Sequence, residues 1–370
     1  MDSRTSLLHK IEFIAGTSNT IVLSRSERQI ALYLISSTED FQDWYSSDEE
    51  RLERLRVAVA PHKQLPVELL SVIFALSIPS LGFTVPPTSR KAPWSLRSVC
   101  SLWRKVVLRD PHLWNNLEIL IPNRWQNAAK ATVIEYLQHL QRDIMDPEAP
   151  ISLRFYGSES DLSGSFVPSV YDHFLQPNLH RFRHIFVKDH QAIVRILRIP
   201  GSSFTNLESL TILSSSYETT FTVERPAALF KDLQSLRRLT FELFNYTHLM
   251  DFTNTTMPWR QLTHLTITPP PKLAHYAFVE VTNALEILRQ CESLVHFKLG
   301  IAPFALAHNK IQNIAISVPT LRTFELRCFT PVSEESSPMA QFFGSLHFPA
   351  LVELRVHAYN DPTQFGHLGR

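Results

Sequence analysis

A short phrase of apolar and polar positions, apolar-x-x-apolar-x-apolar, recurs through the C-terminal two thirds of the chain. It stands at Phe182, Ile185 and Val187, at Leu207, Leu210 and Ile212, and at Leu236, Leu239 and Phe241. It returns at Leu262, Leu265 and Ile267, at Leu294, Phe297 and Leu299, at Leu321, Phe324 and Leu326, and at Leu351, Leu354 and Val356. Separations between successive starts run from 25 to 32 residues. Looser copies precede them around Leu117, Ile119 and Ile121, and around Ile151, Leu153 and Phe155. Within each phrase the alternation puts the last two apolar residues on one face of a short strand. Helix-like stretches lie between the phrases, the clearest over 274–291 with Val279, Leu285 and Leu288 apolar. One strand–helix unit cannot bury its own apolar face, so the pattern predicts neighbours stacked into a parallel sheet over a continuous apolar ladder.

The N-terminal third reads differently. Residues from about Ser24 to Ala60 carry two apolar stretches, one with Ile30, Leu32, Tyr33 and Leu34 and one with Leu52, Leu55, Val57 and Val59. The acidic, serine-led run Ser46-Ser47-Asp48-Glu49-Glu50 between them looks like a helix start. Two short helices in a hairpin, or a mobile partly helical arm, both fit residues 1–60. Pro66 suits the first turn of the next helix, where a missing N–H costs nothing. Leu69, Leu70, Ile73 and Phe74 then recur at helical spacing until Pro79. Residues 81–93, with Pro86, Pro87 and Pro93, lack periodicity and are expected to be loop. Leu96, Val99, Cys100, Trp103, Val106 and Val107 predict a second helix with an apolar face.

Three motifs in this region carry a family resemblance. Leu65-Pro66-Val67-Glu68-Leu69-Leu70-Ser71-Val72-Ile73-Phe74 gives an LP-x-E-L-L-x-x-I-F helix, Val99-Cys100-Ser101-Leu102-Trp103-Arg104 a V-C-x-x-W-R helix, and Asp110-Pro111-His112-Leu113-Trp114 a D-P-x-L-W exit. Together, over roughly residues 61–118, they resemble the F-box. The stretch between the two helices is longer and richer in proline than the compact family pattern. The resemblance implies docking on the Skp-type adaptor of a cullin–RING ubiquitin ligase, with Leu65, Pro66, Leu69, Leu70 and Ile73 in contact, and Val99, Cys100 and Trp103 beside them. The period of the later phrases lies in and just above the leucine-rich-repeat range, although the usual turn asparagine is missing. Residues 119–370 thus resemble the degenerate leucine-rich repeats that commonly follow an F-box in large fungal families. The expected architecture is an N-terminal helical F-box followed by an irregular repeat solenoid with a parallel sheet.

Composition narrows the function. The 370 residues are 44% hydrophobic and carry a formal net charge of +1, so no global field favours nucleic acid or an anionic membrane. Three cysteines, Cys100, Cys291 and Cys328, are too few and scattered for a disulfide framework, which fits a reducing intracellular setting, cytoplasm or nucleus. No apolar run is long enough to span a bilayer, and the start of the chain has no signal-peptide core. With only 9 glycines, phosphate-cradling loops are not expected. His180 and His184 stand four apart, but strand geometry at Ile185 separates them and no third ligand follows the expected pattern. No nucleophile elbow, phosphate loop or Cys-x-x-Cys pair occurs, so neither catalysis nor a cofactor is expected.

The expected role is therefore that of a non-catalytic substrate-recognition subunit: the F-box holds adaptor and cullin while the repeats hold an unknown substrate protein. Polar strand positions give the candidate substrate contacts Arg237, Arg238, His264, His296, Lys298, Arg322 and Arg355. A leucine-rich interaction scaffold whose F-box serves no ubiquitin transfer is the alternative. The last phrase ends near Tyr359, so either the tail to Arg370 caps it or the natural chain runs on.

Overall fold

The computed structural model describes residues 23–39, 53, 55–61, 65–78, 82–87, 91–120, 127–157, 169–213, 228–230, 232–242, 257–268, 281–301, 315–329 and 342–359. They divide between two compact units, one taking the chain to Asn116 together with Arg142–Asp146 and the other taking Leu117–Gln141 and the chain from Pro147 onward.

The first unit opens with α1 (Arg25–Glu39). Its start is a capping box: the Glu27 N–H donates to Ser24 Oγ (3.3 Å), and the Ser24 N–H donates to Glu27 Oε2 (2.7 Å). Ala31 packs with Leu55 and Val59, and Leu23, Ile30, Leu34 and Ile35 close around them. Leu32 and Tyr33 instead face solvent. The expected start signal at Ser46–Glu50 lies outside the described residues.

Pro66 stands at the N-cap of α2 (Val67–Ser77), with its carbonyl accepting from the Leu70 N–H at 3.1 Å. The stretch expected to be loop contains a short strand, β1 (Phe83–Val85), buried along its whole length. Aromatic packing accounts for it. Phe83 meets Trp94 and Trp114 edge-on, at ring separations of 5.9 and 5.3 Å, and the Trp94 indole N–H donates to the Thr84 carbonyl at 3.1 Å. Gly82 leads into this strand at φ +95°, and a β-carbon there would run into the Asn116 carbonyl.

The single helix expected over 96–107 is broken. A 3₁₀ turn (Leu96–Ser98) ends at Val99, Cys100 is extended, and α3 (Ser101–Arg109) follows. Cys100 caps α3, its Sγ accepting from the Trp103 N–H at 3.5 Å. The Asp110-Pro111 exit has a similar logic. Asp110 Oδ1 accepts from the His112 N–H (3.2 Å), Pro111 opens a 3₁₀ turn, and the Trp114 indole donates to the Val107 carbonyl (2.8 Å).

The second unit is α/β. Its strands β2 (Asn116–Leu120), β3 (Ile151–Tyr156), β4 (Phe182–Lys188), β5 (Ser209–Leu213), β6 (Arg238–Glu242), β7 (His264–Thr268), β8 (His296–Ile301), β10 (Thr323–Phe329) and β12 (Glu353–Tyr359) lie side by side in chain order. From β3 onward every pairing is parallel. Two short strands, β9 (Ile316–Ser317) and β11 (Leu346–His347), form a separate parallel pair. Helices α4 (Asn127–His139), α5 (His190–Leu197) and α6 (Val281–Gln290) run between strands.

The predicted apolar phrases fall into register. One row runs Leu153, Ile185, Leu210, Leu239, Leu265, Phe297, Phe324 and Leu354, and the next Phe155, Val187, Ile212, Phe241, Ile267, Leu299, Leu326 and Val356. All but the last member of each row are buried. Covering them are the apolar faces of the helices, such as Ala192, Ile193, Ile196 and Leu197 of α5. Asp189 caps α5 by accepting from the Ala192 N–H at 2.8 Å, in space that a β-carbon on Gly157 would fill.

The turns before the strands are tied by a second ladder. The carbonyls of Glu208, Arg237, Thr263, Val295 and Arg322 each accept two N–H groups from the next turn, at 2.8–3.1 Å. Polar side chains one position before the phrases reinforce it. Asn206 donates to the His180 carbonyl (2.7 Å), Ser235 to that of Thr205 (2.8 Å), Gln261 to that of Leu233, and Thr320 to that of Leu294 (2.8 Å). Buried Arg181 ties an earlier pair of turns, donating through Nε and Nη2 to the Ala149 carbonyl (3.1 and 3.0 Å) and through Nη1 to Asn178 (2.8 Å).

Candidate docking surfaces

Eight of the eleven residues of α2 are apolar, more than one buried face can use. The helix separates them into two stripes. Leu70 and Phe74 are fully buried, and the Phe74 ring lies 4.8 Å from that of Trp103. Leu69, Val72, Ile73 and Leu76, spaced i, i+3, i+4 and i+7, form a second stripe and are 50%, 55%, 44% and 81% exposed. That spacing places all four within about 100° of the helix circumference, the width of a normal core-facing stripe. Here it faces solvent. Pro66 and Val67, at the start of the helix, are exposed as well.

Of the residues marked as adaptor contacts, Pro66, Leu69, Ile73 and Val99 are therefore at the surface and Leu65 is half-buried. Leu70 and Cys100 are interior, and Trp103 is half-buried against Phe74. These three act on the surface by holding α2 and α3 in place. Val72 and Leu76 complete the exposed stripe without having been marked. Their signal was present in the near-continuous apolar run of α2, which no single buried face could absorb.

The sheet face opposite the apolar rows is the second candidate. Its first row runs Ser152, His184, Ser209, Arg238, His264, His296, Thr323 and Glu353, and its second Arg154, Phe186, Thr211, Thr240, Thr266, Lys298, Glu325 and Arg355. Among its described residues Arg154, Lys188, Arg238, Lys298, Arg327 and Arg355 stand against Glu242, Glu325 and Glu353. On a chain of net charge +1 this face is locally basic.

Most of these charges are engaged. Glu325 Oε1 takes Lys298 Nζ and Arg327 Nε, both at 3.1 Å, with His357 Nε2 at 3.7 Å. Burial pushes the Glu325 carboxyl upward, but the Lys298 and Arg327 cations outweigh it and hold it below the ordinary value. Arg355 is held by Glu353 at 2.6 Å. Arg154 lies 5.5 Å over the Phe186 ring, beside Tyr156. The His264 and His296 rings stack at 4.4 Å. Burial first, then His296 and Arg238, hold the His264 imidazole below its usual value.

The candidate substrate residues divide accordingly. Arg238, His264, His296, Lys298 and Arg355 lie together on this polar face. Arg237 and Arg322 do not. They sit in the turns before β6 and β10, and Arg237 donates to the Gln234 and Leu236 carbonyls of its own turn. Arg154, Phe186 and Arg327 belong to the face and were not marked, because a strand face is defined by lateral register, which a single phrase does not display.

Among the described residues no group of three or more His, Cys, Asp or Glu is arranged to hold a metal. Burial drives the Cys291 thiol up to about 12. No helix among them is long and apolar enough to cross a membrane. No family model matches the chain, and no curated protein matches its sequence.

Proposed function

We propose that this chain is a substrate-recognition subunit of a cullin–RING ubiquitin ligase, in which an F-box spanning about residues 61–118 docks on a Skp-type adaptor. The observation that carries the reading is the exposed Leu69–Val72–Ile73–Leu76 stripe following Leu65-Pro66. A soluble protein gains nothing by leaving a complete amphipathic stripe in water, and such patches mark partner sites. An amphipathic stripe of this spacing suits an apolar groove on a partner protein. The motif resemblance supplies the identity of that partner.

On this reading the parallel sheet of the second unit is an irregular leucine-rich-repeat solenoid. It is supported by the single register that runs through the phrases and by the turn ladder, in which each turn bonds mainly to its predecessor. The function is proximity. Substrate held on the repeats presents its lysines at a raised effective concentration to a ubiquitin-charged enzyme elsewhere in the ligase.

The test is co-purification of adaptor and cullin with the intact chain and with the double variant Leu65→Ala/Pro66→Ala. Loss of about 2 kcal/mol per hot spot would remove the complex from the pull-down. Undiminished recovery of adaptor and cullin by the double variant would refute the docking assignment.

A further inference from the structure

Arg238, near the middle of the polar face, is a cation without an ion pair among the described residues. Its neighbours along the first row are Ser209, His264 and His296, and Thr211, Thr240 and Thr266 occupy the row beside it. None of these carries a negative charge. No carboxylate pairs with Arg238 among the described residues. Glu208 feels its charge, but it is bonded to Arg183 at 2.9 Å. Glu242, on the same strand, is four residues away, about 13 Å along an extended chain. Farther across the sheet, Lys298 and Arg327 share one carboxylate, and Arg355 has Glu353.

The Thr263 hydroxyl defines what His264 offers. It lies 3.1 Å from the Arg237 carbonyl and 2.9 Å from His264 Nδ1. The Nδ1 side of the ring is thus engaged, and Nε2 has no partner among the described residues. A ring kept neutral adds no positive charge. Among the described residues the centre of the face thus holds a guanidinium without a carboxylate partner, set among hydroxyls, which matches a monoanion. A phosphate monoester, at nearly two negative charges, would need a second free cation there.

We propose that this face binds an extended acidic segment of a protein partner, with one carboxylate on Arg238 and a second near Lys298. The proposal rests on the reading of the sheet as the substrate-binding element and names the substrate's chemistry. Spacing gives it a register. Arg238 is level with His296, two strands and about 9–10 Å away, and Lys298 stands two residues farther along β8, so the two lie about 12 Å apart. An extended chain advances about 10 Å in three residues and about 13 Å in four, so the two acidic residues stand three or four apart. Arg238 takes its carboxylate in a bidentate fork. Lys298 keeps N–H donors beyond the one used on Glu325.

The test uses the full chain and a fluorescent Gly/Ser peptide carrying two glutamates, made with them three and with them four residues apart, read by anisotropy. Comparison peptides replace both glutamates with glutamine, or both with phosphoserine. The diglutamate peptide binds, the glutamine peptide does not, and added salt weakens the binding. Arg238→Ala weakens it about tenfold, the scale of a lost charge-assisted fork, and Arg238→Lys restores part. Arg238 is exposed, so both variants keep the parent's unfolding midpoint. Equal binding of the glutamine peptide, binding of the phosphoserine peptide alone, absence of any binding, or an unaffected Arg238→Ala variant each overturns the proposal. The Leu65→Ala/Pro66→Ala variant binds the peptide normally, so loss of adaptor docking and loss of peptide binding are separate results.

Discussion

Truncating the exposed stripe of α2 should uncouple docking from folding. Fully burying a leucine contributes about 1.5–3 kcal/mol. Leu76, at 81% exposure, has realised about a fifth of that in the folded chain, and Leu69, at 50%, about half. The double variant Leu69→Ala/Leu76→Ala should then lose only about 1–2 kcal/mol of stability. Phe74 differs. It is fully buried against Trp103, and Phe74→Ala should cost about 3–5 kcal/mol. For docking the order reverses: if the adaptor buries both leucines, about 2 kcal/mol is lost at each, roughly thirtyfold in affinity per site. Urea unfolding of both variants, beside calorimetric titration with a Skp-type adaptor, measures the two effects. Unchanged adaptor affinity with the fold intact would refute the stripe as the docking face. A stability loss as large as that of Phe74→Ala would show that the stripe is packed inside the protein.

Three further outcomes follow from the same contacts. Since the folded pKa values of His184 and His264 are depressed below 6.5, both largely through burial, their stabilising contribution is present above that pH and is lost as pH falls through the folded values. The urea midpoint should therefore fall between pH 7.5 and 5.5, and a His184→Gln/His264→Gln variant should flatten that fall; an equal slope would exclude these imidazoles as its source. Ser235→Ala and Thr320→Val each remove one hydroxyl bond to the preceding turn and should cost about 1 kcal/mol by chemical denaturation. Gly82→Ala must place a β-carbon at φ +95° against the Asn116 carbonyl and should cost more than about 2 kcal/mol, read as a lowered melting temperature.

The apolar rows could be read from the chain because a parallel sheet buried on one face repeats its requirement at each strand. The turn ladder was equally present, in Asn206, Ser235, Gln261 and Thr320, each one position before a phrase. It forms no visible motif because four residue types perform one task, donating to a carbonyl about one repeat earlier. The aromatic packing of Phe83, Trp94 and Trp114 could not be read from periodicity. Its members are 31 positions apart at the extremes and meet through tertiary contact. The break at Cys100 has a similar origin, since a thiol cap on Trp103 interrupts what the apolar spacing would continue as one helix.

The two candidate surfaces differ in how sequence can reveal them, and the reason is physical. A docking stripe on a helix is local: Leu69, Val72, Ile73 and Leu76 lie within eight residues, and only the division between buried and exposed stripes needs coordinates. A sheet face is assembled laterally. Arg238, His264, His296 and Lys298 come from three strands, and their proximity depends on every intervening phrase keeping register. The apolar rows enforce that register, because a one-residue slip would turn Leu239 or Phe297 to water and bury a charge. The core therefore fixes where each polar side chain stands without fixing which side chain it is. Position on the face is set by folding, whereas the identity of the side chain there, such as Arg238 with no ion pair among the described residues, is free of the core's demands.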